Sequence, residues 1–288
     1  VGGCGLAVSD RLEGPAVNEP RIVHGLSNED YHAGRGLSCS GVKRLRRSPF
    51  QYHALTLPSD APRSEPTAAM FNGTLTHCAL LEPGEFDKRY KVGPDVSKNS
   101  NAWKDWAAQA AADGITAITA QQRETAQRQA LALSAIPDIA TLLNDGAPEV
   151  SAYWIDAESG ILCKCRPDWV APVAYGSGVI LVDVKTASDA SPGGFARQCA
   201  SFGYHLQADW YSRGYAAASG LEVFGFVFAV VESEYPHDAA PYMLSERDLK
   251  KAEAANREAL TLFARCQAAG QWPGYAKEIQ ILELPAWA

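Results

Sequence analysis

Apolar and polar positions follow two periods along this chain, and the change from one to the other falls near residue 148. Before it, apolar residues recur at three- and four-residue spacing, which predicts helices. "LSCSGVKRLRRSPFQYHALT" at 37–56 predicts two short ones, the first capped by Ser40 and the second by Ser48, with Pro49 in its first turn. "TAAMFNGTLTHCALLEP" predicts a helix from Thr67 to about Glu82, stopped by Pro83-Gly84. "NAWKDWAAQAAADG" predicts a helix closed by Gly114, and "ITAIT" a short strand. A long helical stretch follows at 120–145, kinked near Pro137. From 148 the period is two, so "EVSAYWID", "ILCKCRPDWVA" and "GVILVDVKT" read as three successive strands. One broken helix or two at 191–220 lead to a buried strand, "VFGFVFAVV", at 223–231. "PYMLS" reads as a short strand and "SERDLKKAEAANREALTLFARCQAAG" as a capped helix. The ending "WPGYAKEIQILELPAWA" reads as an irregular segment laid back onto the body. This order predicts an α/β fold with a mixed β-sheet flanked by helices. Residues 1–20, rich in glycine, read as a loose tail, and 21–288 as one domain.

Composition narrows the function classes. The chain has 288 residues, 47% hydrophobic and 20% charged, with a net charge of -7 and a pI near 5.4. Proteins that coat themselves with nucleic acid are usually basic, so any such contact here is confined to a local patch. The run Lys43, Arg44, Arg46, Arg47 is the densest positive stretch. It reads either as a solvated helix face or as a phosphate contact that guides DNA. Seven cysteines without a CxxC pair argue against a disulfide framework or a zinc site and suit a reducing, cytoplasmic setting. The longest apolar run is too short to span a bilayer, and the first residues lack a basic-then-apolar leader. The expectation is a soluble protein without a membrane partner.

The chemistry concentrates in "VILVDVKTASD" at 179–189, an apolar strand carrying Asp183 and Lys185 on one face. Burying such charges costs several kcal/mol unless something compensates them. "APVAYGSG" before it reads as a hairpin turn centred between Tyr175 and Gly176. That register sets Asp168 across from Asp183 and Arg166 across from Lys185. Two carboxylates so placed repel. They call either for a hard divalent cation, Mg²⁺ with Mn²⁺ as substitute, or for a plainer arrangement with Asp168 in water and Asp183 on an arginine. On the repulsion argument, Asp183→Asn should leave the metal-free protein no less stable. Glu149, starting a strand beside the hairpin, is a candidate for approach through water.

"RPDW" followed by "DVK" resembles the core of the PD-(D/E)XK nuclease superfamily. "GTLTH" at 73–77 is similar to the helical histidine motif of its RecB-like branch, and "QADWY" at 207–211 to the glutamine–tyrosine motif. "LSCSGVKRLRRSPFQY" resembles the serine-rich opening of that group. With "AMFNGTLTHCALLEP" and the closing "LPAWA", the likeness is closest to RecE-like (exodeoxyribonuclease VIII type) phage recombination exonucleases, over residues 25 to 288. The resemblance implies that Asp168, Asp183 and the Val184 carbonyl hold Mg²⁺ while Lys185 positions or deprotonates a water. It implies His77 as a ligand or phosphate contact near a second ion. Gln207 and Tyr211 would brace the lysine or touch DNA, and Arg166 would neutralise the scissile phosphate or pair with an acid. The implied activity is digestion of linear duplex DNA, 5′ to 3′, leaving 3′ tails for a RecT-like single-strand annealing protein. The implied assembly is a homo-oligomeric ring, in a bacterial or phage-infected cell. An endonuclease on the same fold and a DNA-binding module with a vestigial site are the rival readings. The chain departs from relatives that carry an iron–sulfur cluster, because it lacks their cysteines, and it has no helicase region.

Overall fold

Serine and threonine caps start most of the helices. A computed structural model describes residues 19–57, 65–173 and 177–284. After β1 (Arg21–Val23) and α1 (Asn28–Ala33) come α2 (Cys39–Arg47) and α3 (Pro49–Thr56). Ser38, not Ser40, caps α2, accepting from the Gly41 N–H at 3.2 Å. Ser40 lies inside the first turn, where its hydroxyl meets that of Ser38 instead. Ser48 caps α3 as expected.

Thr67 caps α4 (Ala68–Leu81), which is followed by α5 (Pro83–Arg89), β2 (Tyr90–Val92), α6 (Asn101–Ala112) and β3 (Thr116–Ile118). The expected kink at Pro137 is a full break between α7 (Ala120–Ser134) and α8 (Pro137–Leu143), with the proline in the first turn of the second helix.

The strands β4 (Ala147–Pro148), β5 (Ser151–Ile155), β6 (Leu162–Cys165), β7 (Trp169–Pro172) and β8 (Gly178–Ala187) follow. The stretch read as a single strand at 161–171 is therefore two, and they belong to different sheets. Pro167 has no N–H to give a ladder, and the chain crosses from one sheet to the other at Arg166-Pro167-Asp168. Helices α9 (Pro192–Phe202) and α10 (Tyr204–Ser219) are separated by Gly203, whose φ of +64° suits glycine. Then come β9 (Glu222–Glu232), β10 (Ala239–Tyr242) and α11 (Glu246–Ala269).

The main sheet has the order β10-β9-β8-β7-β4, with β8 and β9 parallel and the other pairs antiparallel. A smaller sheet, β1-β5-β6, is antiparallel. Strand β8 is covered on both faces, which explains its nearly continuous apolar sequence. On one side Leu181 and Phe228 pack with Trp210 of α10 and Leu260 of α11. On the other, Val182 and Val184 pack with Leu133 and Ile139 of α7 and α8. The fold is thus a mixed α/β sandwich of the expected class.

Trp272 turns back onto Tyr52 and Phe263 as expected, but Ile279, Ile281 and Leu282 are fully exposed, so the return stops short of them. The tail residues 1–18, the turn centre 174–176 and residues 285–288 lie outside the described residues. All six described cysteines are buried and unbridged. No described helix is long and apolar enough to cross a membrane.

Candidate active site

Strands β7 and β8 pair Trp169 with Val182, Val170 with Leu181 and Pro172 with Val179. This is the register the turn position predicts, and its next step sets Asp168 opposite Asp183. At that point the strands part, and the Asp168 side chain takes over from the ladder: its Oδ2 accepts the Val184 N–H at 2.7 Å. Arg166 does not continue the register toward Lys185. Its guanidinium, 6% exposed, donates to the Ser151 hydroxyl (2.9 Å) and to the carbonyls of Leu26 and Ser27 (3.0 and 3.2 Å). It lies 3.7 Å from Glu149 and 4.2 Å over the Tyr31 ring. Of its two expected roles, pairing with an acid fits; reaching a phosphate does not.

Helix α4 delivers His77 to the same place. Its Nε2 is 2.9 Å from the Val184 carbonyl and its Nδ1 is 3.4 Å from Asp168 Oδ2. A carbonyl only accepts, so Nε2 carries the proton, and in the neutral ring the Nδ1 lone pair points toward the acids. The Val184 carbonyl, expected at a metal, is thus engaged by the imidazole. Glu149 completes the group: ligand atoms of His77, Glu149 and Asp168 all lie within 4.8 Å of one another. Its backbone φ is +51°, a left-handed conformation rare outside glycine and asparagine. Strain of this kind is commonest where a side chain must be aimed.

The electrostatics of the group favour a cation. Burial pushes the Glu149 carboxyl up to about 8, and the charge of Asp168 adds to the effect. Burial likewise lifts Asp183 to about 6, against the pull of Lys185. Carboxylates so reluctant to ionise together, with one imidazole beside them, fit an oxygen-preferring divalent ion.

Asp183 stands outside the 4.8 Å group, with both oxygens engaged. Its side chain is 1% exposed. Gln207 Nε2 donates to Oδ1 at 2.5 Å, and the Lys185 ammonium touches Oδ2. Gln207 therefore braces the aspartate rather than the lysine. Burial alone would pull Lys185 down, but Asp183 and then Asp168 outweigh it and hold the ammonium above its ordinary range. Lys185 Nζ also lies 4.9 Å from the centroid of the Tyr204 ring. Tyr211, one turn beyond Gln207, packs edge-on against Phe226 in the core, and burial raises its phenol.

The basic run of α2 does not form one patch. Arg44 donates to the Thr56 hydroxyl (2.9 Å), and Arg46 to the Ala255 carbonyl with Glu258 at 3.9 Å. Arg47 is exposed. Lys43 turns inward, its ammonium 5.5 Å over the same Tyr204 ring that Lys185 meets.

Known structures and sequences agree with this geometry at the level of the fold. A candidate exonuclease from Eubacterium rectale superposes with a TM-score of 0.59 at 15% identity, over 91% of this chain and 96% of that one. Protein VC1899 from Vibrio cholerae aligns over 88% of this chain and 60% of that one, at 14% identity and a TM-score of 0.25, too loosely to carry weight. A search of curated proteins found no match. The family described as a PDDEXK-like domain of unknown function (DUF3799) matches residues 38–285, and the chain belongs to that family.

Proposed function

We propose that the protein is a divalent-metal-dependent deoxyribonuclease that digests linear duplex DNA from an end, 5′ to 3′, leaving 3′ single-stranded tails. The observation that carries this reading is the convergence of His77, Glu149 and Asp168 within 4.8 Å, beside the Asp183–Lys185 pair. Support for end-directed digestion comes from the RecE-like order of motifs and from the fold shared with the Eubacterium rectale protein.

His77, Glu149 and Asp168 would hold Mg²⁺ or Mn²⁺, while Asp183 holds Lys185 in place beside them. A divalent ion there would supply positive charge to the scissile phosphate and acidify a water. Lys185 acts as an ammonium, because the carboxylate and the aromatic face beside it favour the charged form. It orients the attacking water and balances charge on the phosphate. Gln207 fixes the Asp183 carboxylate, and the Val184 N–H fixes that of Asp168. The 3′ tails would suit a RecT-like annealing protein, and a homo-oligomeric ring would keep the enzyme on its DNA.

The test is digestion of end-labelled linear duplex with Mg²⁺ and with EDTA, beside a covalently closed circle. Loss of label from the linear DNA in Mg²⁺ only, with the circle intact, is the expected result. Cutting of the circle at a similar rate would replace the exonuclease with an endonuclease, and no cutting of either would remove the nuclease reading.

A further inference from the structure

One aromatic ring, Tyr204, faces two ammonium groups, and only one of them belongs to the site described so far. Lys185 Nζ lies 4.9 Å and Lys43 Nζ 5.5 Å from its centroid. Lys43 has no carboxylate within ion-pair distance among the described residues, in contrast to Lys185. The aliphatic stem of Lys43 lies over Gly203, where an added Cβ would stand 3.3 Å from Cε. The lysine therefore lies directly against the turn that joins α9 to α10, with one residue of the turn on each side of the glycine. One of these is Tyr204, and the other is Phe202, whose ring is 5.7 Å from that of Tyr204. Phe202 is 59% exposed, although it sits two contacts from Lys185.

An exposed phenyl ring and an ammonium without a carboxylate partner, both neighbours of one tyrosine ring, offer what a nucleotide needs: a flat apolar face for the base and a cation for the phosphate. Neither element reads sequence, since every base has a π face and every phosphate the same charge. We propose that Phe202, Tyr204 and Lys43 form a nucleotide subsite beside the reaction centre. In it Phe202 stacks one unpaired base and Lys43 holds the phosphate next to the one being cut. The subsite rests on the nuclease reading and adds to it that the strand enters locally unpaired, with one base displaced onto Phe202. Tyr204 acts through others, fixing both lysines against a single ring. Lys43 is thereby separated from Arg44 and Arg46, whose side chains are spent within the protein.

The experiment measures binding of a labelled single-stranded oligonucleotide by anisotropy, in Ca²⁺ so that turnover does not intrude. One abasic nucleotide is placed at each position near the end in turn. Stacking of one base contributes about 1–3 kcal/mol, so Phe202→Ala should weaken binding of the intact oligonucleotide roughly 5- to 150-fold. At one abasic position, Phe202→Ala and the parent should bind equally, and Phe202→Trp should restore the affinity for the intact strand. Lys43→Gln should lower the slope of log affinity against log salt by about 0.7, the value for one phosphate of a single strand. Parental affinity in Phe202→Ala, or an equal loss at every abasic position, overturns the base contact. An unaltered salt slope in Lys43→Gln overturns the phosphate contact. Either result in a protein that still cuts linear DNA in Mg²⁺ removes the subsite alone, whereas a parent that binds no DNA removes the nuclease reading with it.

Discussion

The Glu149 N–H donates to the Asp168 carbonyl at 3.0 Å, so the backbone itself brings the two carboxylates to one point. Burial then holds the Glu149 carboxyl up at about 8, far above its ordinary 4.5. A carboxyl raised in the folded state binds more protons there than in the unfolded chain between those two values. Stability must therefore fall as pH rises through that window. Melting temperatures in EDTA should decline from pH 5 to pH 8, and Mn²⁺ should flatten the curve. Glu149→Gln should flatten it without metal and bind Mn²⁺ more weakly. A metal-free protein whose melting point rises across this range would contradict the assignment.

Arg166 is expected to govern stability rather than DNA contact. Truncation to alanine leaves the Ser151 hydroxyl, two carbonyls and Glu149 without their buried cation. A loss of about 1–3 kcal/mol in urea unfolding follows, the cost of leaving buried hydrogen-bonding groups without a partner. Arg166→Lys should recover little of it, because a single ammonium cannot span the guanidinium's partners. A fully stable Arg166→Ala protein with weakened DNA binding would return the residue to the phosphate.

The register that brings Asp168 level with Asp183 is legible because turn residues and apolar runs bound both strands tightly. Asp183 and Lys185 stood out for the same reason: charges in an otherwise apolar strand need partners. Glu149 was harder to see, since its left-handed backbone belongs to no period, and the residues that close on it are distant in sequence. Arg166 was misplaced by carrying strand alternation through Pro167, where pairing stops. The four cations of α2 are adjacent in sequence and not in space. A helix turns by about 100° per residue, and their partners lie on different elements.

That dispersal gives a separable expectation for DNA binding. Arg47, exposed one turn from Lys43, should contribute to the salt dependence, so Arg47→Gln lowers the slope by up to about 0.9. Arg44→Gln and Arg46→Gln should leave the slope unaltered, because their guanidinium groups already serve the protein. Affinity measured across a salt series separates the two classes. Equal effects from all four residues would restore the single patch.

The Asp183–Lys185 pair reverses one expectation drawn from sequence. Repulsion between Asp183 and Asp168 alone suggested that Asp183→Asn would cost no stability. Lys185, however, is only 14% exposed and has Asp183 as its ion-pair partner, so the substitution strands a buried ammonium. Breaking such a pair costs about 3–5 kcal/mol, more than relief from a carboxylate across the strands returns. Asp183→Asn should therefore melt lower without metal as well as lose cleavage. Lys185→Met should stop cleavage yet keep Mn²⁺ binding in a calorimetric titration. The double variant, neutral on both sides, should recover much of the stability lost by Asp183→Asn. The coupling read from the four urea curves should exceed about 1 kcal/mol, as for residues in direct contact. If the two losses simply add, the charges do not depend on each other, and Lys185 must find its counter-charge elsewhere in the site.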